Sequence, residues 1–196
     1  MRAMTERRRT KIEKVLRQRQ KGLTLVMDNI WDPHNVSAIY RSCDAFGVPE
    51  VHLYYTHCAF PQLSRKTSAS AFKWVGTVRH SDREEMLACL RSQGMRVLAT
   101  SCSPSSIPLT AYDFTMPTAI IMGNEHAGVS EDLLTIADGE VYIPMYGMVQ
   151  SFNVSVASAL ILAEASRQRA LAGMYEQRLW SDEEYEQRLT AWLDKA

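Results

Sequence analysis

Nowhere in the 196 residues do apolar side chains run to 18 in succession, so no segment has the length of a membrane-spanning helix. Residues 1–22 are too basic and too poor in apolar side chains for a secretory signal, so a cytoplasmic protein with no membrane partner is expected. Cysteine is scarce: Cys43, Cys58, Cys89 and Cys102 form no C-x-x-C pair. That argues against a zinc knuckle or a dithiol redox motif and leaves buried, reduced thiols as the plain reading. His34, His52, His57, His80 and His126 never fall at metal-ligand spacing, so no metal is expected. The chain also lacks a P-loop, a G-x-G-x-x-G turn, an H-E-x-x-H helix and a G-x-S-x-G elbow, which removes the common nucleotide and hydrolase sites. Lys and Arg are missing altogether between Arg96 and Arg167.

The composition is otherwise that of an ordinary folded domain, 46% hydrophobic and 22% charged. Its 22 cations and 22 anions cancel, but unevenly. Residues 1–22 hold nine cations against Glu6 and Glu13, whereas Asp113, Glu125, Glu131, Asp132, Asp138, Glu140 and Glu164 occupy the stretch without Lys or Arg. A basic end suits a polyanion such as nucleic acid; the other half cannot neutralise phosphates and must do something else.

Periodicity divides the chain into alternating elements. Ile12, Val15 and Leu16 make a basic amphipathic helix from Glu6 to Lys21, stopped by Gly22. Apolar runs at Leu23 to Ile30, Val51 to Thr56, Trp74 to Val78, Val97 to Thr100, Ala119 to Gly123 and Val141 to Ile143 read as strands. Helices are expected from Asp32-Pro33 to Phe46, Asp82 to Gln93, Ser130 to Ala137, Asn153 to Ala172, and from Ser181 with Glu184 in a capping box. This pattern predicts an α/β fold with a mostly parallel sheet flanked by helices. In such sheets ligands bind beyond the carboxyl ends of strands, which singles out the loops after Ile30, Thr100, Gly123 and Ile143.

Three of these segments have unusual composition. Asn35 to Gly47 carries Arg41 on a helix face with Ser37, Ala38 and Ala45, small residues that leave its guanidinium room; the bland alternative is a surface pair with Asp44. Gly-Asn-Glu125-His-Ala-Gly128-Val-Ser follows a buried strand, as suits close backbone approach to a ligand. Ile143-Pro-Met145 leads to Ser151-Phe152-Asn153-Val-Ser155-Val-Ala157, with more Ser and Asn than a helix cap needs, although capping and close helix packing are the bland account.

In this order the three segments resemble the motifs of the SpoU-type RNA ribose 2′-O-methyltransferases of the SPOUT superfamily, across roughly residues 20 to 172. With its basic first helix and extra C-terminal helix the chain is most similar to the branch acting on guanosine 18 of tRNA. The resemblance implies a C-terminal deep trefoil knot, a homodimer, and S-adenosylmethionine held by Thr100, Ser101, Gly123, Ile143, Met145 and Phe152. It implies Arg41 at the ribose hydroxyl, with Asn35, Glu125, Ser151 and Asn153 positioning the reactive groups. Residues 1–22 become an RNA-binding helix, 23–172 the methyltransferase domain and 173–196 a helical extension. Arg7, Arg8, Arg9, Lys11 and Arg19, with Arg65 and Lys66, are then expected on the RNA, a solvated basic helix being the bland alternative. Acidic Asp182, Glu183, Glu184 and Glu186 in the last helix fit tRNA less well. Ribosomal RNA or another tRNA position is the alternative substrate, and a silent RNA-binding or assembly module the alternative class.

Overall fold

The computed structural model describes residues 5–61 and 71–195. Arg65 and Lys66 therefore lie outside the described residues. The elements run α1 (Glu6–Arg17), β1 (Leu23–Asp28), α2 (Pro33–Ala45), β2 (Glu50–Tyr54), β3 (Gly76–His80), α3 (Arg83–Ser92), β4 (Arg96–Thr100), β5 (Ile107–Pro108), β6 (Thr118–Met122), α4 (Glu131–Leu134), β7 (Gly139–Tyr142), α5 (Val154–Leu171) and α6 (Asp182–Asp194). The strands form one sheet in the order β3-β2-β1-β6-β4-β7-β5, and every pairing between them is parallel.

Both faces of the sheet are covered, as a parallel sheet requires. All six residues of β1 are buried, which is why its sequence reads as a continuous apolar run. On one face Leu25, Met27, Leu53 and Ile120 pack under Val36, Ile39 and Tyr40 of α2 and Ile161, Leu162 and Ala165 of α5. On the other, Val26, Val97, Ala99 and Ile121 meet Met86 and Leu90 of α3 and Leu133 of α4. A third cluster joins the ends of the chain: Ile12 and Leu16 of α1 against Trp180 and, from α6, Tyr185, Leu189 and Trp192. Each buried side chain of this size contributes about 1.5–3 kcal/mol.

Helix starts follow local chemistry. Asp32 accepts from the His34 amide at 2.8 Å and Pro33 takes the first helical position. Asp82 supplies half of a capping box through the Glu85 amide, while Ser181 and Glu184 form a complete one. Ser130 stands at the α4 cap without a side-chain bond to the helix.

Several expectations shift. Helix α1 ends at Arg17 rather than Lys21, because Gln18 caps it and the chain turns so that the Gln20 amide reaches the Gly47 carbonyl at 2.8 Å. Strand β3 begins two residues late: Trp74 and Val75 belong to a turn whose amides bond to the Ala71 carbonyl. Those two side chains are apolar because they pack, Trp74 edge-on against Trp192. Of the cysteines only Cys43 is fully buried; Cys58 and Cys89 are half-buried and Cys102 is exposed.

Candidate active site

The sheet brings the carboxyl ends of β6, β4 and β7 side by side. There a cavity of about 700 Å³ opens, lined by Thr100, Ser101, Gly123, Ile143, Met145 and Phe152, the six residues expected to hold a cofactor, and by Glu125, Ser151 and Asn153. Met122, Asn124, His126, Val141, Tyr142, Gln150 and Ala157 complete much of the wall, and among the described residues no Lys or Arg lines it. The volume suits a small-molecule cofactor.

Gly123 shapes the cavity. A Cβ there would lie 2.2 Å from both the Gly128 carbonyl carbon and the Val129 nitrogen, so only glycine permits the fold-back of the loop. Asn124 and Gly128 close that loop by paired backbone bonds of 2.8 and 2.9 Å. Gly128 sits at φ +73°, the left-handed region glycine enters without strain. Thr100 directs its hydroxyl into the sheet, donating to the Ile121 carbonyl at 2.9 Å.

One polar chain links the three unusual segments. Glu125 accepts from the Trp31 amide at 2.9 Å, the Asp32 amide at 3.2 Å and Asn35 Nδ2 at 2.8 Å. Asn35 Oδ1 in turn accepts from Asn153 Nδ2 at 3.1 Å. Asn153 Oδ1 caps α5 through the Ser155 amide at 2.9 Å, so capping and linkage coexist in one side chain. Burial acts to raise the Glu125 carboxyl, but the bonds from Asn35, Trp31 and Asp32 outweigh it and hold it below the usual carboxylate range.

A second set of residues, not anticipated from sequence, anchors this chain. Asn29 sits at φ 48°, and its side chain accepts from the Thr56 and His57 amides at 3.0 Å each and donates to Asp28 at 2.9 Å. Asn124 donates to the Asn29 carbonyl at 2.6 Å, and the buried Asp28 accepts from the Ser130 amide at 2.8 Å. The Asp28-Asn29 pair at the end of an apolar run was a signal, since Asn tolerates the left-handed region.

Arg41 lies on α2, six positions beyond Asn35, exposed and outside the cavity lining. Among the described residues it makes no hydrogen bond or ion pair, and Asp44 pairs with Arg19 instead. Ser151 lines the cavity and is likewise without a hydrogen bond among the described residues.

The basic helix divides. Arg7, Arg8, Arg9 and Lys11 are exposed, with Arg9 bonded to Glu13 at 3.0 Å. Arg7, Arg8 and Lys11 line a groove of about 470 Å³ whose other walls include Trp74 and Trp192. Arg19 corrects the expectation: it is fully buried, bonded to Asp44 and the Val48 carbonyl, with its guanidinium 5.0 Å from the Trp192 ring centre. It holds α2 and α6 together and cannot reach a phosphate. The acidic start of α6 is partly spent internally, because Glu184 pairs with Lys21 at 2.6 Å.

Residues 22–163 match the SpoU rRNA Methylase family model. The chain belongs to the SpoU family. Over 195 residues, all of both chains, it is 46% identical to a tRNA (guanosine(18)-2′-O)-methyltransferase of Thermus thermophilus. The Aquifex aeolicus TrmH/SpoU tRNA modifying enzyme superposes with a TM-score of 0.90 at 38% identity, over 97% of this chain and 96% of that one. The SpoU methyltransferase AviRb from Streptomyces viridochromogenes, solved with the cofactor AdoMet, gives 0.71 at 28% identity, over 78% of this chain and 62% of that one. In this SpoU chain the family match spans β1 to the middle of α5, the region that builds the cavity and its polar chain.

Proposed function

We propose that the protein transfers a methyl group from S-adenosylmethionine to a ribose 2′-hydroxyl of tRNA, at guanosine 18. The observation that carries this reading is the cavity itself: three adjacent strand ends, a wall without Lys or Arg among the described residues, and a glycine whose absent Cβ lets the loop backbone at Gly128 and Val129 fold back against it. Those residues fit the cofactor, since a sulfonium needs no anion clamp and would be repelled by Lys or Arg. When bound, S-adenosylmethionine supplies an electrophilic methyl carbon.

The protein's part is to prepare the oxygen. Forming a free alkoxide from a hydroxyl of pKa about 12 costs about 7 kcal/mol at neutral pH. A guanidinium stays protonated and is a poor base, so Arg41 would act by stabilising negative charge as it develops while the oxygen–methyl bond forms and the sulfur–methyl bond breaks, the hydroxyl proton leaving late to water. Arg41 is unpaired among the described residues, as such a role needs. The Glu125–Asn35–Asn153 chain fixes the amino end of α2 against the cavity, and the Ser151 hydroxyl, without a hydrogen bond among the described residues, is left to meet the cofactor or the partner subunit. Alignment of the reacting groups can supply about 7–11 kcal/mol.

The active unit is a homodimer in this reading. Tyr146 and Met148 are almost wholly exposed, and Val149, Val156 and Leu160 extend the apolar surface from the loop onto α5. A second copy covering it would bring the partner's helix, and its arginine, toward a cavity that Arg41 of the same chain does not line. The trefoil knot belongs to the same proposal, as does the division into an RNA-binding helix (1–22), a methyltransferase domain (23–172) and a C-terminal extension (173–196). Among the described residues no helix is long and apolar enough to cross a membrane; a cytoplasmic location belongs to the same proposal. Exposed Arg7, Arg8, Arg9 and Lys11 grip RNA, with Arg65 and Lys66 added from the segment outside the described residues.

The test is to incubate unmodified tRNA and ribosomal RNA with protein and labelled methyl donor and to map the modified riboses. Methylation at guanosine 18 of tRNA is expected; methylation confined to ribosomal RNA, or none at all, overturns the reading.

A further inference from the structure

His52 and His80 lie 28 positions apart in sequence, yet β2 and β3 put them on one face of the sheet: His52 is opposite Val78, and His80 is opposite Tyr54. Both are buried, with rings inclined by only 7° and centres 5.1 Å apart, and His52 Nδ1 is 2.9 Å from His80 Nε2. Cys89 of α3 completes a cluster in which one nitrogen of each ring and the thiol sulfur all lie within 4.8 Å of one another.

Packing alone explains this pair poorly. The hydrogen bond uses two ring nitrogens, and the other two, His52 Nε2 and His80 Nδ1, are buried without a partner among the described residues. Buried polar atoms left in that state are costly and rare. A metal takes its lone pair from the neutral imidazole, and one nitrogen of each ring is placed to offer it. Cys89 is half-buried, which gives a path from solvent, and Glu85, one turn earlier on α3, places a negative charge near His80.

We propose that His52, His80 and Cys89 form a site for a transition-metal dication of the zinc type, on the opposite face of the sheet from α2 and α5. Two imidazoles and a thiolate suit zinc and reject magnesium or calcium, which take oxygen ligands. Ligand bonds of about 2.0–2.3 Å require the rings to part slightly and the thiol to swing inward, leaving a fourth position for water or Glu85. The histidines enter neutral and release nothing; the Cys89 proton passes to solvent, one per ion bound.

Cobalt(II) titrated into the chelator-treated full chain tests the site. The expected result is a thiolate-to-cobalt charge-transfer band with tetrahedral visible bands, saturating at one equivalent, displaced by zinc, and lost in Cys89→Ser. Zinc should also raise the melting temperature of the wild type and not of Cys89→Ser. That variant changes a half-buried position, and circular dichroism confirms that it is folded; His80→Gln provides an independent check. Absence of the bands in the wild type, or bands that survive in Cys89→Ser, overturns the proposal.

Discussion

Replacing Glu125 tests whether the polar chain sets the geometry of the site. Its carboxylate takes three donors, two backbone amides and Asn35. Bonds to a charged acceptor contribute about 1.5–3 kcal/mol each, but the site is half-buried and water can reach the freed amides. Glu125→Ala is therefore expected to cost about 2–3 kcal/mol in a urea melt, well below the full sum. Glu125→Gln, which presents one amide nitrogen to a set of donors, should lose about half as much. With Asn35 released, α2 shifts and carries with it the Arg41 that it presents to the second copy's cavity, and a displacement of about 1 Å costs about 100-fold in rate. The loss should fall on kcat for methyl transfer more than on RNA affinity. Because hydrogen bonding holds the carboxyl below its usual value of 4.5, its contribution is complete above that pH and fades as pH falls through the folded value. Wild type and Glu125→Gln should then converge in stability in acid. If Glu125→Gln keeps both stability and kcat within about twofold, the chain does not position the helix.

Gly123→Ala forces a methyl to 2.2 Å from backbone atoms, so calorimetry should find cofactor binding abolished even if the fold survives; ordinary binding would mean that the loop yields freely. Burial lowers the His52 pKa from 6.5 to about 4, so the unfolded chain binds the extra proton first. Metal-free protein should lose up to about 3 kcal/mol between pH 6.5 and 4, and His52→Gln should flatten that slope. Changing Arg7, Arg8 and Lys11 to Ala should weaken RNA binding and spare cofactor binding. If about five cations meet phosphates in the wild type, log affinity falls with log salt at a slope of roughly −3.5 to −4.5. An unchanged slope in the triple variant would remove α1 from the RNA interface.

The strands at 23–28, 96–100 and 118–122 were legible because they are wholly or mostly buried in a parallel sheet and read as apolar runs, whereas of β7, Gly-Glu-Val-Tyr, only Val141 is buried and only its end showed in the sequence. The cavity was legible for the same reason, since its lining follows those runs at strand ends. Other features needed tertiary context. The two residues of β5, Ile107 and Pro108, are too few to make a pattern. Trp74 and Val75 look like strand but are apolar through packing. Arg19 sits in a basic stretch and reads as surface until Asp44 and Trp192 are brought to it. Histidine spacing in sequence conceals the His52–His80 contact, which exists only once β2 and β3 pair.

The most direct measurement is single-turnover methyl transfer by Arg41→Ala, with S-adenosylmethionine and tRNA binding followed on the same preparation. A fall of about 100-fold or more in rate is expected, as for loss of an oxyanion-stabilising donor, with both affinities retained. A rate equal to wild type would show that the guanidinium does not act on the attacking oxygen.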